Sequence, residues 1–374
     1  MQQEIRFATF NVCNLSQPGA KLYDNLSPLT EAEYQAKVAW TARQLDQLDA
    51  DVIGLQEIFS MAALREVLSR SERYRDAALA GFDPPPDPIT GDTRLTPQVA
   101  LISRLPLAAP ATAYQLFPDG VALPAGSRDA DRFARAPLHA QVLLPDERVV
   151  DVIVIHLKSK RPDYHSGDSG DDAMLHAQAN LRSLIRRGTE AVALRALLSD
   201  MDRGGRRPRV VLGDFNDTAD AVTTTIVMGS GCVGLADEEL SGRLFDSNQI
   251  QRGRDRLRHV GYTNIHEGHY MTIDHVLVSE EFNPASRFAV GEVMDVTYLN
   301  DHLLQAKPEA SDHGQVVVRV RMYVTDITDA DAVSAAFSRA LKPVRPTGTL
   351  VAVAALYNPR WKVEIEAEAV VSAD

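Results

Sequence analysis

Cysteine is nearly absent: Cys13 and Cys232 are the only two in 374 residues. That excludes a disulfide framework and a cysteine-rich zinc site, and it points to a reducing compartment. Excess positive charge is missing as well. The formal net charge is -12, so a protein that coats nucleic acid along its whole surface is excluded, while a local basic patch is not. No apolar run approaches the roughly 20 residues needed to cross a bilayer. The N-terminus, MQQEIRFATFNV, has no basic region followed by an apolar one, so a soluble, cytoplasmic protein is expected. What is present, 45% hydrophobic and 24% charged residues, is ordinary for a globular chain long enough to bury a sizeable core.

Short β-rich runs at Ile5 to Asn11, Val52 to Gln56, Val99 to Ile102, Leu138 to Leu144, Val149 to Ile155, Val210 to Gly213, Ile273 to Val278 and Val316 to Val320 read as strands. Thr30 with Glu33 forms a capping-box pattern ahead of Val38, Ala42, Leu45 and Leu48 at helical spacing. Met61 to Leu68 and Leu175 to Met201 also read as helices, giving an α/β or α+β class. Phe82 to Pro97 and Lys158 to Asp172 read as loops, and no internal repeat is visible.

The strands stop at polar residues: Asn11, Gln56-Glu57, His156 and Gly213-Asp214-Phe215-Asn216. Strand ends fix the backbone while adjoining loops reach solvent, which is where layered α/β proteins build active sites. Each residue alone has a bland alternative, a turn cap, a solvated loop or a structural histidine. Asp274-His275, opening one strand, and Ser311-Asp312-His313, leading into the last, extend the series.

Taken in order, TFN at 9–11, LQE at 55–57, HLKS at 156–159, GDFN at 213–216, IDH at 273–275 and SDH at 311–313 resemble the endonuclease/exonuclease/phosphatase family. The resemblance covers roughly residues 4 to 321 and implies a four-layer α/β sandwich, two central sheets flanked by helices. It implies phosphodiester hydrolysis by in-line attack of an activated water, with Mg²⁺ or Mn²⁺ as cofactor. Carried over residue by residue, it makes His156, Asp214, Asn216, Asp274 and His313 catalytic and Glu57, Asn11 and Asp312 metal ligands. Arg135 in RFARAP matches a phosphate-contacting arginine of DNase-like members, and an ordinary surface arginine is the alternative. Whether Asp214 or the Asp274 and His313 pair takes the water's proton stays open. Cys13 stands where abasic-site endonucleases carry an aspartate, so a metal site relying on that carboxylate is not expected. The glutamate that partners the catalytic histidine in DNase I has no counterpart either.

From His156 to Arg209 the chain carries 11 Lys or Arg against 7 Asp or Glu, a local +4. Lys158 and Lys160, directly after His156, are the best-placed substrate contacts; Arg252, Arg254, Arg256 and Arg258 form a second basic run. A nucleic-acid substrate is therefore expected. A lipid or inositol phosphate hydrolase of the same fold is the rival, although no loop rich in Trp, Phe or Leu offers a membrane dock. An inactive scaffold is the alternative from another class, and intact motifs argue against it. Tyr262, His266, Glu267 and His269 either line the cleft or form a polar hairpin.

After residue 321 the sequence reads strand, helix, strand, strand. VAAL and VEIEA in this stretch resemble the C-terminal half of the RidA (YjgF) family, which would place Arg345 and Glu364 or Glu366 near that family's imine-deaminase site. The N-terminal half of that fold is missing. Residues 1–321 are thus expected to form the catalytic domain and 322–374 a RidA-like half domain serving homo-oligomer assembly.

Overall fold

The computed structural model describes residues 3–83, 95–124, 127, 129–165, 168, 170–229, 242–252, 261–305 and 307–322. The expected tail elements, Arg254, Arg256, Arg258, Cys232 and most of the Phe82 to Pro97 loop lie outside the described residues.

In chain order the first half contains β1 (Gln3–Leu15), α1 (Glu31–Leu48), β2 (Val52–Ile58), α2 (Met61–Arg70), β3 (Ala78–Gly81), β4 (Gln98–Ser103), β5 (Thr112–Ala113) and β6 (Leu138–Leu143). The second half contains β7 (Val149–His156), α3 (Ala173–Arg203), β8 (Arg209–Asp214), α4 (Val222–Met228), β9 (Leu244–Asp246) and α5 (Ser247–Ile250). It ends with β10 (Asn264–His266), β11 (His269–Met271), β12 (Asp274–Ser279), β13 (Gly291–Leu299) and β14 (Gln315–Met322). The described strands form two six-stranded sheets, β13-β14-β1-β2-β4-β3 and β5-β6-β7-β8-β12-β9, and a β10-β11 hairpin. Each sheet has one parallel pair joined through a helix, β1-α1-β2 and β7-α3-β8. No helix among the described residues is long and apolar enough to cross a membrane.

Strand alternation builds the layers. Ile5, Phe7, Val52, Val152, Val154, Val210, Leu212, Val276 and Val278 face the space between the sheets. Ala8, Phe10, Ile53 and Leu55 face α1 and α2 on one outer side, and Ile153, Ile155, Val211 and Leu277 face α3 and α4 on the other. The result is the expected four-layer sandwich. Thr30 closes the predicted capping box, accepting from the Glu33 amide while the Glu33 carboxylate accepts from its own. The sheets approach closely at Gly54, where a Cβ would stand 2.1 Å from Leu212 Cδ1.

One long element has no counterpart in the sequence pattern, and one open alternative resolves. β13 is hidden in the sequence because GEVMDVTYL mixes acidic and apolar residues on an edge strand. The His266 to His269 region is a hairpin turning through Glu267 and Gly268, both at positive φ, as a tight two-residue turn demands.

Candidate active site

The site lies where the apolar layer between the sheets runs out into polar residues. Asn11 continues the phase of Ile5 and Phe7, His156 that of Val152 and Val154, Asp214 that of Val210 and Leu212, and Asp274 that of Val276 and Val278. Period 2 thus aims four side chains from both sheets at one point. All four are buried. Glu57 departs from this phase. The ladder between β2 and β4 shifts register between Leu55 and Ile58, and Glu57 takes φ 63°, a conformation that redirects its side chain.

His313 stands at the centre. Its Nδ1 lies 2.9 Å from Asp274 Oδ2, and its Nε2 lies 3.8 Å from Asp214 Oδ2 and 3.5 Å from Asn11 Nδ2. Asn11 Nδ2 also donates to Asp214 Oδ2 at 3.1 Å and Glu57 Oε1 at 3.3 Å, while Asn11 Oδ1 accepts from the Cys13 amide at 3.0 Å. His156 Nε2 is 3.4 Å from Asp214 Oδ2. The structure therefore brings Asn11, His156, Asp214, Asp274 and His313 together, with Glu57 at one side.

Electrostatics sets their proton affinities. Burial lifts Asp214 above the ordinary carboxylate range, helped by Asp274 and opposed by His313. Burial also opposes charge on His313, but Asp274 and Asp214 overcome it and hold the imidazole well above its usual value. His156 goes the other way: burial, then the Arg135 guanidinium, keeps it well below.

A second set of groups fixes the first. The Ser311 hydroxyl donates to the Asn11 carbonyl at 2.6 Å and accepts from the His313 amide at 3.0 Å, joining the first and last strands of the sheet. Thr263 Oγ1 accepts from the Ile273 and Asp274 amides at 3.0 and 3.1 Å. Asp214 Oδ1 accepts from the Asn216 amide at 2.7 Å, and Asn216 Nδ2 donates to the Leu157 carbonyl at 2.9 Å, so Asn216 shapes the turn that carries Asp214. His275 Nε2 meets the Asp217 carbonyl at 2.9 Å on the outer side of the sheet.

The predicted basic contacts are placed differently from one another. Arg135 is half-buried, with a 3.4 Å hydrogen bond to the Leu157 carbonyl beside His156. Lys158 Nζ donates to the Ser159 and Arg161 carbonyls and to Ser183 Oγ, and burial first, then Arg135, lowers its pKa to about 8. Lys160 pairs with Asp217 at 3.0 Å. Beneath them, buried Glu190 accepts from the Lys158 and Ala134 amides at 2.8 and 3.1 Å, and buried Arg187 pairs with Asp217 at 3.1 Å. These α3 residues anchor both basic loops.

Sequence reasoning missed Lys37. Its position on α1 reads as a solvated helix charge, yet it is 5% exposed, with its ammonium 5.8 Å from the Trp40 ring centre. Burial lowers its pKa, while Cys13, Asp312 and Glu57 favour its charge. Cys13, in turn, is pushed far up by burial and by Asp312. Asp312 itself is exposed and sits on this Cys13 and Lys37 side.

A hard divalent cation needs oxygen donors. Glu57 offers a carboxylate oriented by Asn11 Nδ2 and by the Asn14 amide, 2.9 Å from Oε2, and Asn14 Oδ1 is buried without a partner. That donor set fits such an ion. Asp214, Asp274 and His313 also place ligand-type atoms within 4.8 Å of one another. The 2.9 Å bond committing His313 Nδ1 to Asp274 suits that cluster to proton handling instead.

Residues 8–313 match the family described as Endonuclease/Exonuclease/phosphatase family, and residues 296–371 match Endoribonuclease L-PSP. No curated protein matches the chain. Among solved structures, an endonuclease/exonuclease/phosphatase family protein from Bacteroides thetaiotaomicron is similar at 15% identity and a TM-score of 0.52, over 88% of this chain and 97% of that one. A mannosyl-6-phosphatase from the same organism gives 16% and 0.51, over 84% and 99%. The human nocturnin catalytic domain with bound sulfate gives 16% and 0.52, over 85% and 94%. With its sandwich fold, its convergent strand ends and a match over most of its length, the chain belongs to the endonuclease/exonuclease/phosphatase family of divalent-metal-dependent phosphoric-ester hydrolases.

Proposed function

We propose that the protein is a phosphodiester hydrolase that uses Mg²⁺ or Mn²⁺ and acts on nucleic acid. The observation that carries the reading is His313 held by Asp274 at 2.9 Å with its other nitrogen turned toward Asp214. A carboxylate on Nδ1 fixes the tautomer in which Nε2 of the neutral ring takes a proton from an attacking water, and because Asp274 and Asp214 favour the imidazolium that neutral form is reached as pH rises. Asp274 then stabilises the imidazolium. Asp214, with its raised proton affinity, is the other group able to receive that proton. His156 and Arg135 supply donors on the β7 side for phosphoryl oxygens. Glu57 would hold the cation, with Asn11 and Asp312 supporting it, and the ion would neutralise charge building on the phosphoryl group.

Nucleic acid is favoured by the hairpin beside His313. Asn264 forms a β-bridge with His313, and the hairpin carries Tyr270, 59% exposed, packed edge-on against Tyr262 at 4.9 Å. An exposed aromatic face fixed next to the catalytic histidine suits base stacking, which is worth roughly 1–3 kcal/mol per base. A phosphomonoesterase is the second reading, favoured by the commitment of Lys158 and Lys160 to internal partners.

The test is a side-by-side assay of supercoiled DNA, single-stranded DNA, RNA, sphingomyelin, inositol phosphates and sugar phosphates with Mg²⁺ or Mn²⁺, using Asp214→Asn as control. Nucleic acid should be cleaved, with binding that weakens steeply with salt. Turnover confined to a lipid or a monoester would overturn the nuclease reading and leave the hydrolase site standing. The division into 1–321 and an assembly segment at 322–374 belongs to the same proposal. Light scattering of the full chain against 1–321 tests it, and equal oligomeric states would refute the assembly role.

A further inference from the structure

β1 runs past Asn11 into an irregular stretch. Its register with β2 moves from Asn11 opposite Gln56 to Leu15 opposite Ile58, so residues 12, 13 and 14 stand against Glu57 alone. Cys13 and Asn14 take φ 56° and 57°, and Glu57 across from them takes φ 63°. Three non-glycine residues in the left-handed region, side by side, are costly and persist only where the surrounding structure holds them.

The distortion turns Asn14 toward Glu57. The Asn14 amide donates to Glu57 Oε2 at 2.9 Å, and its Nδ2 donates to Cys13 Sγ at 3.6 Å, which fixes the orientation of the carboxamide. Its Oδ1 is then buried with no partner. An amide oxygen withdrawn from water without a donor is unfavourable, and this one belongs to the residue whose backbone amide holds the Glu57 carboxylate. Amide and carboxylate oxygens are interchangeable donors for hard divalent ions.

We propose that Asn14 is a ligand of the divalent cation, giving Oδ1 alongside the Glu57 carboxylate. The inference rests on the metal-dependent reading above. It assigns the β1 irregularity a purpose: the position two beyond Asn11 carries no carboxylate, and the residue after it supplies an oxygen in its place.

The 374-residue chain, freed of metal, is titrated with Mn²⁺ by calorimetry and by electron paramagnetic resonance of free Mn²⁺. Asn14→Gly is the decisive variant, because glycine accepts φ 57° without strain and removes only the side chain. Asn14→Gly should weaken Mn²⁺ binding about tenfold or more, whereas Asn14→Asp should bind at least as tightly as the parent. Parental affinity in Asn14→Gly would overturn the proposal and leave Oδ1 to a water. Should Asn14→Gly lose its cooperative thermal transition, weakened binding in a folded Asn14→Asp would overturn it equally. Failure of the parent chain itself to bind Mn²⁺ is a separate result, which refutes the metal-dependent reading.

Discussion

Asp274 holds His313 through a 2.9 Å contact between its Oδ2 and the ring Nδ1, and both residues are buried. Asp274 opens β12 in one sheet and His313 lies two residues ahead of β14 in the other, so the bond spans the sandwich at the point where its core turns polar. Asp274→Asn allows the amide to donate to Nδ1 and moves the ring proton to Nε2, the wrong tautomer for a base. Turnover should fall at least about a hundredfold, as it should in His313→Ala. Both proteins should keep the parental circular dichroism. Near-normal turnover in either folded variant would remove that residue from the mechanism.

Lys37 predicts an effect of opposite sign on metal binding. Its buried charge lies in the field of Glu57 and Asp312 and competes with a cation there. Lys37→Met keeps the packing on Trp40 and removes the charge, so Mn²⁺ affinity should rise severalfold in calorimetry. Unchanged affinity would show that the ammonium and the cation do not share a field.

Asp49 gives a pH test of stability away from the site. It pairs with Arg6, Arg73 and Arg104 at 2.8, 3.1 and 2.8 Å. Burial pushes its pKa up, but the arginines, Arg104 foremost, outweigh burial and hold it below the usual carboxylate value. The stabilisation is therefore complete above the unfolded pKa of about 3.9 and is lost as pH falls through the lower folded value. Asn tolerates the φ of 45° at this helix cap. Asp49→Asn should cost about 1 kcal/mol at pH 7, since partly exposed pairs are individually weak. The difference in melting temperature should shrink as pH falls below about 4 and close once pH passes the lower folded value, and a difference that stays constant through that range would refute the ion-pair origin.

Gly213 predicts a backbone effect beside the turn that carries Asp214. A Cβ there would stand 2.0 Å from the Ile155 carbonyl oxygen, at φ 149°. Gly213→Ala should destabilise by about 3 kcal/mol or more in chemical denaturation. Gly120 also has a positive φ, 83°, but nothing lies within 4 Å of its Cβ position. Gly120→Ala should cost only about 1–2 kcal/mol. Equal costs would show that the strand contact does not constrain Gly213.

Much of this site was legible in the sequence because strands carry function by position. Asn11, His156, Asp214 and Asp274 continue the two-residue period of strands whose apolar members are evident, and motif order joined them to Glu57 and His313. What stayed hidden depends on distances that no local pattern encodes. Lys37 occupies an unremarkable helical position, and only the packing of α1 behind the strand ends buries it. Glu190 and Arg187 sit on a 31-residue helix and act on loops anchored by contacts 32 and 30 positions away. Asn14 gains its meaning from a register shift, which depends on β2 rather than on its own neighbours. Lys158 and Lys160 followed His156 as a phosphate-binding pair would, but Ser183, Asp217 and nearby carbonyls take up their ammonium groups.

On the proposed reading, Glu57, Asp214, Asp274 and His313 form one metal-dependent site for phosphodiester hydrolysis. The decisive measurement is cleavage of supercoiled plasmid DNA by the 374-residue chain after EDTA treatment and again after adding Mg²⁺ or Mn²⁺, with Glu57→Gln in parallel. Cleavage should disappear in chelator, return with the metal, and stay weak in Glu57→Gln at metal concentrations that saturate the parent. Cleavage that continues in chelator at the parental rate would rule out a metal-dependent site.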